Sequence, residues 1–164
     1  MLKNILLLGA ALLAGASILV HPFGPIKMEG SSRPPLRDAT LDFATAAIFE
    51  RSCQNCHSEK TEWPWYSYVA PMSWMIEGDV RHGRGFMNLS HWDEYSIQRR
   101  QEILAEMSVL VRNRAMPLPK YLLLHPEAKL SDAEVARLDQ WARSERKRLK
   151  AASTEKSDTS GGTR

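Results

Sequence analysis

The sequence predicts an all-α fold, a single helical domain preceded by an apolar N-terminal helix. Apolar residues recur at helical spacing in successive stretches between residues 41 and 141, and proline and glycine punctuate those stretches. No strand-like alternation runs for more than a few residues. At 164 residues, 43% hydrophobic and 25% charged, the chain has room for one domain with appendages. The Trp, Leu and Ile content of its middle excludes a long disordered chain. Two cysteines three positions apart cannot staple a fold of this size, which excludes a disulfide scaffold.

Each element follows from its local chemistry. After Lys3 and Asn4, Ile5 to Val20 carries no charge. Sixteen helical residues span about 24 Å, short of the roughly 30 Å hydrocarbon core of a bilayer. Residues 1–22 therefore read either as a signal sequence with a small-residue site at Ala14-Gly15-Ala16, or as a transmembrane anchor extended by Phe23 and Ile26. Both readings export the rest of the chain, with Lys3 left on the cytoplasmic side. Residues 23–37 are rich in proline and read as a linker. Asp38 or Thr40 can cap a helix that runs to about Ser52. Residues 58–70 show no period and read as a loop. Pro71 can open a second helix that ends at Gly83. Ser90 or Ser96 caps a third, with Ile97, Leu104, Met107 and Val111 on its apolar face and Ile103 and Leu110 beside it. Met116-Pro117-Leu118-Pro119 breaks it. Ser131 and Glu134 form a capping box, Leu130 and Val135 a hydrophobic staple, and Val135, Leu138 and Trp141 the stripe of the last helix. The main domain is thus residues 38–142, and residues 143–164 read as a basic helix end and a disordered tail.

Charge divides unevenly. Residues 38–142 hold 11 cations and 15 anions, so the domain is acidic although the whole chain is +3. That argues against a nucleic-acid-binding core.

The chemistry centres on Cys53-Gln54-Asn55-Cys56-His57, the attachment signature of c-type haem. Two thiols at this spacing can add to the two vinyl groups on one haem edge, and the following histidine then faces the iron. Export agrees with this reading. A thiol redox pair would need a strand–helix context that is missing, and a zinc site would need a second Cys or His pair. The iron's second axial ligand has several candidates: His82, His91, His125, Met72, Met75, Met87, Met107 and Met116. Met107, Met72 and Met75 read as core on helical faces. Met116 is favoured, because Pro117 and Pro119 stiffen the loop that carries it. His125 is the alternative. Trp63, Trp65, Tyr66 and Trp74 would wall the haem and reach its propionates.

Further strings follow the motif: Thr61-Glu62-Trp63-Pro64-Trp65-Tyr66-Ser67, Ala70-Pro71-Met72-Ser73-Trp74, Gly83-Arg84, Asn88-Leu89-Ser90-His91-Trp92, Met116-Pro117, Tyr121, His125-Pro126, Leu130-Ser131 and Trp141. Together they resemble the bacterial haem-binding domain family, small c-type cytochromes usually held by an N-terminal anchor. The resemblance covers about residues 25–145. It implies one haem c held by Cys53, Cys56 and His57, with the anchor left in place. More loosely, the ends resemble a cytochrome c fold, in which Phe49 would meet Leu138 and Trp141 where two helices cross. The small glycine of that crossing is replaced by Thr45 here.

The expected function is that of a monohaem electron carrier rather than an enzyme. It would lie on the periplasmic side of the bacterial inner membrane, anchored through its N-terminal helix, or be soluble there after cleavage. It would exchange electrons with a redox protein in or at the membrane. No nucleic-acid partner and no small-molecule substrate is indicated. A haem enzyme or gas sensor with an open distal site, and a haem-bearing assembly subunit, are the alternatives.

Overall fold

The computed structural model describes residues 2–19 and 33–160, and every regular element among them is helical. Seven α-helices follow one another: α1 (Leu2–Leu19), α2 (Phe43–Ser52), α3 (Gln54–His57), α4 (Met72–Phe86), α5 (Ile97–Arg112), α6 (Pro119–Leu122) and α7 (Asp132–Ser160). Short 3₁₀ turns at Trp65–Tyr68, Leu89–Glu94 and Pro126–Ala128 connect them.

The caps explain where the helices start. Asp42, not Asp38 or Thr40, caps α2, and its carboxylate accepts from the Thr45 backbone N–H at 3.0 Å and the Thr45 hydroxyl at 2.6 Å. Ser96 caps α5 by accepting from the Arg99 N–H at 3.1 Å. At α7 the capping box is reciprocal: Ser131 Oγ accepts from the Glu134 N–H (3.2 Å) while Glu134 accepts from the Ser131 N–H (2.8 Å). α4 continues to Phe86, past the glycine expected to end it. α7 is helical to Ser160, through the stretch expected to be a disordered tail; Ser153 and Thr154 hydroxyls donate back to the Lys150 carbonyl there.

α5 and α7 pack along each other and form the floor of the domain. Ile103, Leu104, Met107 and Val111 of α5 are buried against Leu138, Trp141 and Ala142 of α7, so Met107 is core, as its spacing indicates. α2 crosses α7 through Phe49 and Trp141, whose rings meet edge to face with centroids 5.1 Å apart. Thr45, where the cytochrome c resemblance expects a glycine, is fully buried, and its hydroxyl donates to Asp42. Trp92 and Leu89, from the 3₁₀ turn after α4, complete the core.

Two N-terminal expectations need correction. Residues 23–32 of the linker lie outside the described residues, but residues 33–37 are docked on the domain. Leu36 is 3% exposed within the core, and its N–H donates to the Leu89 carbonyl at 2.9 Å. Arg33 grips Asp93 with two bonds of 3.0 and 3.2 Å and also pairs with Glu94. Farther along, the Trp141 indole N–H donates to the Thr40 carbonyl (2.7 Å) and Arg148 to that of Asp38 (2.8 Å). Among the described residues, moreover, no helix is long and apolar enough to cross a membrane, so the N-terminal membrane helix is not supported. Within the described part of α1, the run after Lys3 and Asn4 spans about 22 Å, against the roughly 30 Å of a bilayer core.

Candidate haem site

The CxxCH segment is a tight turn wound on one carbonyl. Cys53 closes α2 by donating to the Phe49 carbonyl (3.0 Å), and its own carbonyl accepts from both Cys56 N–H (3.2 Å) and His57 N–H (3.0 Å). Side chains brace the turn from outside. Ser58 Oγ donates to the Gln54 carbonyl (2.8 Å), Thr61 Oγ1 to that of Asn55 (2.7 Å) and Arg84 Nε to that of Ser58 (2.9 Å). Gly83 of α4 lies directly against it, where an added Cβ would stand 2.7 Å from the Cys56 carbonyl oxygen. Its role is therefore close approach inside a helix, not a helix end.

His57 Nδ1 lies 3.1 Å from the Met87 carbonyl oxygen. A carbonyl can only accept, so Nδ1 carries the proton and Nε2 keeps its lone pair for a metal. Burial lowers the His57 pKa and favours the neutral, ligating imidazole. The two cysteines are not joined in a disulfide. Their apolar setting pushes the Cys53 thiol up to about 12 and the Cys56 thiol up to about 11.

Cys53, Cys56, His57 and Met116 line one cavity of about 270 Å³. Phe86, Leu110, Pro117 and Leu118 supply apolar walls, and Asn55, Asp79, His82, Glu106 and Tyr121 polar ones. A narrower recess of about 50 Å³ continues between Cys53, His57, Met107, Met116 and Leu130. Ser52 borders both, and its buried Oγ finds no hydrogen-bond partner among the described residues. Two thiols, one oriented imidazole, one thioether and an otherwise largely apolar wall match the needs of an iron porphyrin.

His125 and the aromatic run lie elsewhere. His125 is not on this cavity, and both its nitrogens are engaged: Nε2 with the Tyr66 hydroxyl at 2.6 Å and Nδ1 with Glu127 at 2.9 Å. Its ring stacks on Tyr121 with centroids 4.2 Å apart. Trp63 and Tyr66 line a separate groove of about 70 Å³ with Met72, Met75, Leu124 and His125. Asn55, Cys56 and Tyr121 border both this groove and the cysteine cavity. Trp65 is 79% exposed, and Trp74 is half-buried on α4 away from the cavity lining. Trp63 and Tyr66 thus wall a groove that reaches Cys56, whereas none of the four lines the cavity that holds both thiols, because Pro64 and the following 3₁₀ turn carry the run over the start of α4. His91 is held between Glu59 (2.7 Å) and Glu94 (3.0 Å).

Sequence reasoning missed the linkage of Asn55 to Tyr121, whose side chains lie 3.1 Å apart. Nothing in the spacing signals it, since 66 residues separate the two.

An all-helical domain that gathers these donors around one cavity has the make-up of a small haem-binding domain. Residues 20–144 match the family described as the haem-binding domain, and the chain belongs to that family. No curated protein matches the chain, and no solved structure does.

Proposed function

We propose that the protein is a monohaem c-type cytochrome that carries single electrons on the periplasmic side of the inner membrane, not an enzyme. The observation that carries this reading is the convergence of Cys53, Cys56, His57 and Met116 on one cavity, with His57 Nδ1 tied to a backbone carbonyl. When bound, haem supplies a one-electron ferric/ferrous couple. Each cysteine would add its sulfur to one carbon of a vinyl group and its proton to the other, so attachment needs no external oxidant. His57 would hold the iron through Nε2, its ring fixed by the Met87 carbonyl. Met116 would be the sixth ligand. Its N–H reaches the Leu110 carbonyl at 3.3 Å, which ties the residue to the end of α5. A sulfur ligand and a largely apolar wall favour the reduced state and raise the potential. The engagement of both His125 nitrogens argues against that residue as ligand. α1 would serve as the export segment, and the partner would be a membrane-associated redox protein. The crossing of Phe49 with Trp141 supports a cytochrome c-like arrangement of the terminal helices.

The test is an absorption spectrum of the purified protein, oxidised and reduced, with and without carbon monoxide. Low-spin bands, a sulfur-to-iron charge-transfer band and no carbon monoxide response are expected. Met116→Ala should lose that band, bind carbon monoxide and lower the potential. A parent protein that is high-spin and binds carbon monoxide readily would replace the carrier with an open-site enzyme or sensor. Haem that stays attached through denaturing electrophoresis after Cys53→Ser with Cys56→Ser would sink covalent attachment at this motif.

A further inference from the structure

The Trp63–Tyr68 string is the most distinctive in the sequence, yet it lines only the groove beside Cys56 and not the cavity that holds both thiols. Trp65 is 79% exposed, Tyr68 and Val69 of the same turn are exposed, and exposed Met75 and Leu124 line the adjoining groove. Apolar surface concentrated in this way marks an interaction site. Behind it runs a chain of aromatic rings. Trp65 meets Tyr66 edge-on with centroids 5.8 Å apart, the Tyr66 hydroxyl lies 2.6 Å from His125 Nε2, and His125 stacks on Tyr121. Tyr121 borders the cavity that holds both thiols and bonds to Asn55 between them. The groove's charge is negative. Glu62 lines it, Glu127 sits on His125 at its edge, and Lys120 is matched by Asp79 at 2.8 Å.

We infer that Trp65 and this groove form the electron port of the protein, the surface on which a redox protein with an apolar patch inside a cationic rim docks. Tyr66, His125 and Tyr121 couple that surface to the cavity. The inference rests on the electron-carrier reading above. One electron leaves the reduced protein and is gained by the docked acceptor. No bond forms or breaks, and no proton is transferred. Charge complementarity selects the partner, and burial of the exposed indole holds it.

The probe is tris(phenanthroline)cobalt(III), an apolar trication that gains one electron to become cobalt(II), with anionic ferricyanide as the comparison. Both are mixed with the reduced, haem-loaded full chain in stopped flow. Trp65→Ser should slow oxidation by the cobalt complex about tenfold, the loss of one aromatic contact, and leave ferricyanide within about twofold. Trp65→Phe should keep most of the cobalt rate, and Glu62→Lys should lower it. The redox-inert, paramagnetic chromium(III) analogue should broaden the Trp65 indole N–H signal in NMR before any other. Unchanged cobalt rates in Trp65→Ser, equal slowing with both oxidants, or broadening centred on another face would overturn the port. If neither oxidant takes an electron from the parent, the carrier reading fails instead, and the chromium map still reports whether the groove binds an apolar cation.

Discussion

Gly83→Ala puts a methyl group into the contact between α4 and the CxxCH turn. The new Cβ would stand 2.7 Å from the Cys56 carbonyl oxygen, 3.3 Å from its carbonyl carbon and 3.4 Å from its Cβ. These atoms belong to a turn braced by Ser58, Thr61 and Arg84, so no flexible side chain can yield. Overpacking of this kind costs about 1–3 kcal/mol. Alanine recovers up to about 1 kcal/mol of helix propensity. The net expectation is a loss of about 1–2 kcal/mol, or several degrees in melting temperature. Gly85 of the same helix is the internal control, because a Cβ there meets nothing within 4 Å. Gly85→Ala should therefore be neutral to stabilising by up to about 1 kcal/mol. Urea unfolding of the two haem-loaded variants, followed by far-ultraviolet circular dichroism, measures both. Gly83→Ala as stable as Gly85→Ala would refute the claim that this glycine is kept for close approach.

Two further outcomes are expected. Leu36→Ala should cost about 2–5 kcal/mol, the range for a truncated core side chain, although it precedes the first helix of the domain; a near-neutral effect in denaturant unfolding would show that the docked segment is not part of the core. Glu134 accepts from the Ser131 N–H and hydroxyl and pairs with Arg51 at 2.8 Å, and these partners, the backbone N–H foremost, hold its carboxyl down at about 2 instead of 4.5. Its contribution is therefore fully present above about pH 4.5 and is lost as the pH falls toward 2. The stability gap between the parent and Glu134→Gln should narrow across that window in urea titrations, and a gap independent of pH would contradict the assignment.

The parts of the fold legible in the sequence are those set by local chemistry. Ser96 and the Ser131–Glu134 box mark their helix starts because a hydroxyl or carboxylate must satisfy orphan N–H groups within three residues. The α5 stripe faces the core because helical spacing leaves it no other face. Among the candidate site residues, the cysteines and His57 stand out by the spacing of the CxxCH string, and Met116 meets them on one cavity from the turn after α5, which ends at Arg112 ahead of both prolines. What escaped the sequence depends on contacts across long separations. Gly83 reads as a helix end until the Cys56 carbonyl is placed against it. Trp65 reads as cofactor wall because an aromatic residue carries no mark of which way its turn will face. Asp42 and not Asp38 caps α2 because the helix opens at Phe43, directly after Asp42, while the Asp38 and Thr40 carbonyls accept from Arg148 and Trp141 of the last helix.

The docked segment also fixes where a shortened chain can begin. A fragment started at residue 38, where the helical pattern opens, would lack Leu36 and leave a hole beside Leu89, with Asp93 stripped of Arg33. A fragment that begins ahead of Arg33 keeps both. Tension applied ahead of Arg33 is taken up first at Arg33 and Leu36, within the domain's own packing, so the mechanical boundary of the domain lies at Arg33 and not at its first helix.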